Sequence, residues 1–236
     1  MNKEITVDNL FDEGVNIEDF LDGDSTELDF DVEDFDFGDF DNETNPRISR
    51  PVLSRRGMPK SYTHAKKMAE GIEITKNMQT HYLCPGAFIF GDFFEAFLVE
   101  KRMKAEELFI STLSMSENNI DSLRTLLEKG YCEKLTIMIS NYFYSHERGN
   151  LMKHLVDELD FEDRTDVIVN RNHTKIVLMK IEDLYIVISG SANLRSSASL
   201  EQIIIQEDKV LYEYYKDWFV DQLGKYGIIN HSIEKG

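Results

Sequence analysis

The stretch HTKIVLMKIEDLYIVISGSAN, residues 173–193, decides how the rest of the chain is read. Two apolar runs, Ile176–Met179 and Leu184–Ile188, flank the polar KIED and predict a β-hairpin. His173 and Lys175 stand two residues apart at its start, and on an extended strand such residues project to one face. Gly190, Ser191 and Asn193 follow the second run. An imidazole beside an ammonium suits a phosphodiester. Lys175, Ser191 and Asn193 would hold the non-bridging oxygens as negative charge develops, while neutral His173 attacks phosphorus. Taken singly, a His-x-Lys pair is an ordinary half-exposed strand feature, and Ser and Asn after a glycine are ordinary turn residues. The set as a whole carries the reading.

Outward from the hairpin, strand and helix signals alternate. Ala87–Phe90 is a short apolar run, and DFFEAFLVEKRMKA from Asp92 reads as a helix. Glu107–Leu113 is a buried-strand pattern. Asn119–Gly130 has apolar residues at helical spacing and a glycine suited to the C-cap. Lys134–Ser140 and Asp166–Val169 read as strands around a helix at Leu151–Leu159. After the hairpin come a strand at Leu200–Gln206 and an amphipathic helix, Lys209–Gly224, expected to bury Leu211, Tyr214, Tyr215, Trp218 and Leu223. This order predicts an α/β fold whose mixed, mostly parallel sheet is flanked by helices and has an antiparallel corner at the hairpin.

The arrangement resembles the phospholipase D superfamily of the HKD type, whose signature is H-x-K, a β-hairpin, G-S-x-N, and then a Glu at the start of the next strand. The matching residues are His173, Lys175, Gly190, Ser191, Asn193 and, in SLEQIII, Glu201. Similarity extends upstream through Phe109–Ser114 and Leu135–Ile139, so the resemblance spans residues 86–223. It implies a phospholipase-D-like fold and a phosphohistidine intermediate. It also implies a site of His173, Lys175, Ser191 and Asn193, with Glu201 orienting the histidine, and no cofactor or metal. The mechanism needs a second histidine to protonate the leaving oxygen. His64, His81, His146, His154 and His231 all lack a lysine two residues on. Single-motif members therefore imply a homodimer in which two copies of His173 meet across a two-fold axis, and many such members are nucleases. One departure is Lys180, where the family commonly carries Asp five residues after the lysine. Either Glu182 or Asp183 stands in for it, or the hairpin tip is rebuilt.

Charge divides the chain. Residues 1–45 hold 17 acids against the single base Lys3, whereas the other 191 residues carry 27 acids and 25 bases. The overall net charge of −18 is thus concentrated in the first fifth. Residues 46–67 hold seven bases (Arg47, Arg50, Arg55, Arg56, Lys60, Lys66 and Lys67) and no acid. The acidic part repeats Asp-Phe, as at Asp29-Phe30, Asp34-Phe35 and Asp39-Phe40, and is expected to be a disordered acidic-aromatic tail. The expected domains are the tail 1–45, a basic, partly helical lead-in 46–85, and the phospholipase-D-like domain 86–236.

Other chemistries find less support. Cys84 and Cys132 lie far apart without a CxxC pair, which argues against zinc and disulfide frameworks and favours a reducing compartment. The N-terminus lacks a signal-peptide pattern, and no stretch has the ~20 apolar residues of a membrane span, so a soluble cytoplasmic protein is expected. Gly86 and Gly91 lack phosphate-loop spacing. Asp92 and Glu95 read as an exposed charged helix face rather than a metal pair. The expected function is a metal-independent nuclease or other phosphodiesterase, with nucleic acid as substrate. Residues 1–45 would dock on a protein partner or on the chain itself. The alternatives are a catalytically degenerate adaptor and a phospholipid hydrolase.

Overall fold

The computed structural model describes residues 55–56, 60–61, 65–84, 88–159, 164–197 and 199–229. The acidic tail lies outside the described residues. In chain order the elements are β1 (Arg55–Arg56), β2 (Lys60–Ser61), α1 (Ala65–Gly71), β3 (Met78–Cys84), β4 (Phe88–Ile89), α2 (Phe90–Lys101), β5 (Ala105–Thr112), α3 (Glu117–Glu128) and β6 (Cys132–Ser140). They continue with α4 (Asn141–His146), α5 (Leu151–Glu158), β7 (Thr165–Asn170), β8 (Ile176–Ile181), β9 (Leu184–Gly190), β10 (Ser196–Ser197), β11 (Glu201–Glu207) and α6 (Lys209–Tyr226).

The main sheet runs β1-β3-β11-β9-β8-β5-β6-β7, with β2 also on β3. β5, β6 and β7 are parallel neighbours, and β8, β9, β11 and β3 then pair antiparallel in turn. β3, β5, β6, β7 and β9 consequently point one way, while β8 and β11 point the other. The sheet is mixed, with most strands sharing a direction, and its antiparallel part extends past the hairpin to β11 and β3. β4 and β10 form a separate two-stranded ribbon.

The strands read as unbroken apolar runs because both faces of the sheet are covered. Leu108, Ile110, Ile137, Ile139, Val177, Met179, Ile186 and Ile188 face a core shared with α1, α2, α3 and α5. The intervening Phe109, Met138, Ile168, Leu178 and Val187 face α6. α6 packs by most of the face expected. Tyr212 and Phe219 are its fully buried residues, with Leu211, Tyr215, Trp218 and Leu223 packed around them, whereas Tyr214 is exposed. The Tyr212 hydroxyl donates to Glu107 Oε2 at 3.1 Å, and Lys216 Nζ donates to the same carboxylate at 2.6 and 2.7 Å. An acid on β5 thereby fixes the roll of the helix.

The sheet reaches upstream of the boundary expected at residue 86. β3 pairs along its length with β11, and part of the basic lead-in, Arg55–Arg56 and Lys60–Ser61, pairs in parallel with β3. Backbone hydrogen bonding on an open sheet edge recruits these residues despite their charge. Gly130 ends α3 as expected, at φ 74°.

Candidate active site

The C-terminal ends of β5, β6, β7, β9 and β3, and the starts of β8 and β11, lie along one edge of the sheet. All five expected site residues fall at this edge. His173 and Lys175 occupy the segment between β7 and β8 rather than the strand itself, although the Lys175 carbonyl accepts from the Gly190 N–H at 3.3 Å. Their side chains are nonetheless in contact. Lys175 Nζ lies 3.1 Å from His173 Nδ1 and donates to the His173 carbonyl at 2.8 Å. A charged lysine has hydrogens and no lone pair to offer, so in this contact Nδ1 is the acceptor. His173 itself is exposed.

Gly190 closes β9 where two backbones nearly touch. A Cβ there would stand 2.2 Å from the Gln202 carbonyl oxygen, so only glycine fits. The next residue uses that proximity, with Ser191 N–H donating to Gln202 O at 3.0 Å and Gln202 N–H donating to Ser191 Oγ at 3.0 Å. The Ser191 hydroxyl donates to Glu201 Oε2. Glu201, expected to orient His173, is thus bonded to Ser191, and its charge is also felt by Lys175. Burial pulls the Lys175 pKa below the usual 10.5, and Glu201 acts in the opposite direction. Asn193 keeps its Oδ1 buried with no protein hydrogen bond.

Thr112, at the end of β5, joins the two halves of the site. Its hydroxyl receives the Leu194 N–H at 3.3 Å, and its carbonyl accepts from Asn172 Nδ2 at 3.1 Å. Asn172 adjoins the expected nucleophile and escaped the sequence reading, as did Ser111 and Thr112. The available signal was a pair of hydroxyl residues ending an apolar strand, FIST, which marks where a sheet edge turns polar.

Other expectations separate from this edge. Lys180 lies at the far end of β8, roughly 17 Å along the strand from Lys175 at 3.3–3.4 Å per residue. There it pairs with Glu106 at 3.3 Å, donates to the Glu182 carbonyl and sits 4.9 Å over the Tyr185 ring. Lys180 is thus a hairpin-end cation, remote from His173. Asp92 and Glu95 are half-buried against α3 rather than on an exposed face. Asn119 Nδ2 lies 3.4 Å from Asp92 Oδ1, and Ser122 Oγ donates to Glu95 at 2.7 Å. Burial first, and then Glu95, push the Asp92 carboxyl upward.

Among the described residues no second histidine contacts His173. His81 bonds Gln79, His146 bonds the Tyr142 carbonyl, and His154 bonds Asp121. No cluster of potential metal ligands occurs among the described residues, and none of their helices is long and apolar enough to cross a membrane. Cys84 and Cys132 are buried and free, and burial raises both thiols, to about 11 and about 12.

No family model matches the sequence, and no curated protein matches it. Solved structures with a similar fold include Nuc from Salmonella typhimurium, a phospholipase D family member, at 14% identity, covering 52% of this chain and 81% of that one with a TM-score of 0.41. NucT from Helicobacter pylori is 16% identical over 63% of this chain and 96% of its own, with a TM-score of 0.45. Phosphatidylserine synthase from Haemophilus influenzae is 13% identical over 66% of this chain and 41% of its own, with a TM-score of 0.49. The mixed sheet flanked by helices is similar in fold to these structures, and in it the hairpin β8-β9 separates His173-x-Lys175 from Gly190-Ser191-x-Asn193, with Glu201 at the head of β11 beside Ser191.

Proposed function

We propose that this chain is a phosphodiesterase that cleaves nucleic acid through a phosphohistidine at His173. The observation that carries this reading is the contact of Lys175 Nζ with His173 Nδ1 on an exposed sheet edge, beside the Ser191–Glu201 pair. A phosphate entering there would draw the ammonium to its non-bridging oxygens and free the imidazole lone pair. The ring nitrogen then attacks phosphorus, forming a P–N bond as the P–O bond to the leaving group breaks. The leaving oxygen takes a proton from a second histidine. Water next attacks phosphorus, that histidine takes a proton from the water, and the P–N bond breaks. Lys175 supplies the positive charge that a metal ion supplies in other phosphodiesterases, so the reaction should survive chelation.

The second histidine is His173 of another copy, which makes a homodimer the working unit. Leu83 and Leu200, 50% and 65% exposed, flank the paired Cys84 and Glu201 at this edge and are apolar surface for such a copy to cover. Nucleic acid is favoured as substrate because residues 46–67 carry seven bases and no acid, and Arg55–Arg56 and Lys60–Ser61 within them pair with β3. Arg55 and Arg56 pair with Met78 and Gln79, and Lys60 with Tyr82, two residues from the site edge. Residues 1–45 act as a phosphate mimic that docks on this basic surface.

The test is cleavage of plasmid and of bis(p-nitrophenyl) phosphate in excess EDTA, beside His173→Asn. Turnover should persist with chelator, vanish in the variant and rise more than linearly with protein concentration below the dimer dissociation constant. A reaction quenched in alkaline denaturant should hold alkali-stable, acid-labile phosphate on the protein. Undiminished turnover in the His173 variant would defeat the reading, and a folded wild type inert on both substrates would favour an adaptor.

A further inference from the structure

The polar frame around His173 is more complete than a loop at a sheet edge requires. Asn172 is buried, and all four of its side-chain hydrogen-bonding positions are filled. Nδ2 donates to the Thr112 carbonyl at 3.1 Å and to the Met138 carbonyl at 3.2 Å, one at the end of β5 and one near the end of β6. Oδ1 accepts from the Thr174 N–H at 2.9 Å and from the Thr174 hydroxyl at 2.7 Å. Two carbonyl partners on one side and two donors on the other leave the amide a single orientation. The Thr174 hydroxyl also lies 2.5 Å from Ser111 Oγ, which is fully buried in β5.

His173 sits between these two anchored neighbours, and its own side chain is exposed. We propose that Asn172 is a positioning residue, clamping Thr174 to the ends of β5 and β6 so that the His173 imidazole is held at one reach and angle over the site edge. The proposal rests on the phosphodiesterase reading for its effect on rate, though not for its effect on the ring. The clamp explains how an exposed side chain on an irregular segment can be ordered before substrate arrives. A histidine carried by a free loop would lose the orientation advantage, and a displacement of about 1 Å costs on the order of 100-fold in rate. Lys175 gains from the same clamp, since its Nζ is held by the His173 carbonyl and ring. Ser191 and Glu201 hang from β9 and β11 and do not depend on it.

The test compares wild type, Asn172→Ala and T174V, all full length and well below their unfolding midpoints. Steady-state kinetics on bis(p-nitrophenyl) phosphate are set beside the His173 ring resonances, identified by their loss in His173→Asn, during titration with inorganic phosphate. In Asn172→Ala, kcat per folded molecule should fall by about 10- to 100-fold with KM nearly unchanged. Its His173 ring signals should broaden or average, whereas the wild type keeps one sharp set that phosphate shifts. T174V, which removes the hydroxyl and leaves the fold intact, should show the same change in weaker form, and it decides the matter if Asn172→Ala does not fold. Unchanged ring signals together with a kcat loss no greater than the unfolded fraction would overturn the proposal. If wild type turns over neither substrate but its ring signals differ from those of the variants, the positioning role stands and the phosphodiesterase reading falls.

Discussion

Lys175 is subject to two opposing influences. Burial lowers its pKa from 10.5, and the carboxylate of Glu201 raises it. The proposed mechanism uses the ammonium, so activity should be lost as pH rises through this lowered pKa, placing the alkaline limb of kcat/KM below the usual lysine range. Glu201→Gln removes the influence that favours the charged form, and the limb should move to still lower pH. A pH profile of the variant with the same alkaline limb as wild type would show that Glu201 does not support Lys175. At this scale the sequence was informative where chemistry is tied to spacing. His173 and Lys175 are close enough in sequence for their side chains to meet, and they do so on an irregular segment rather than on the expected strand. It was silent about Asn172, whose role comes from carbonyls on β5 and β6 that are 60 and 34 residues away.

The hairpin β8-β9 turns through only Glu182 and Asp183, and Glu182 adopts φ 51°. A side chain in that region is strained by its Cβ, so Glu182→Gly should raise unfolding stability by about 1 kcal/mol, read from the midpoint of urea denaturation. No stabilisation would mean that the extra chain entropy glycine loses on folding offsets the strain relieved. This tip also accounts for the Lys180 departure, since the substituted position serves turn and strand packing. Element types were readable where apolar periodicity was strong, as in α3, β6, β8 and β9. β3 was not, because MQTHYLC mixes polar and apolar residues and owes its place to the backbone ladder with β11. Tyr212 and Phe219 were missed as the buried centre of α6 for a similar reason. Its many aromatics allow several apolar stripes, and Glu107, on a distant strand, selects the one containing Tyr212 and Phe219.

Across the whole molecule, charge is segregated rather than balanced. Residues 1–45 carry a net −16, and the remainder only −2. If the acidic segment competes with phosphate for the basic lead-in, a chain lacking residues 1–45 should bind and cleave DNA more strongly at low salt, with the difference fading as salt screens both contacts. Identical salt-dependent binding curves for the two chains would remove the phosphate-mimic proposal. The sequence by itself determined the α/β alternation, the charge division and the residue types of the site, because these depend on local periodicity, composition and short spacing. Only the tertiary structure decided that β3 enters the sheet, that Ser191 bonds Glu201, and that Asn172 joins Thr174 to the carbonyls of Thr112 and Met138. Each of these depends on hydrogen bonds between segments distant in sequence, and such bonds leave no periodic trace along the chain.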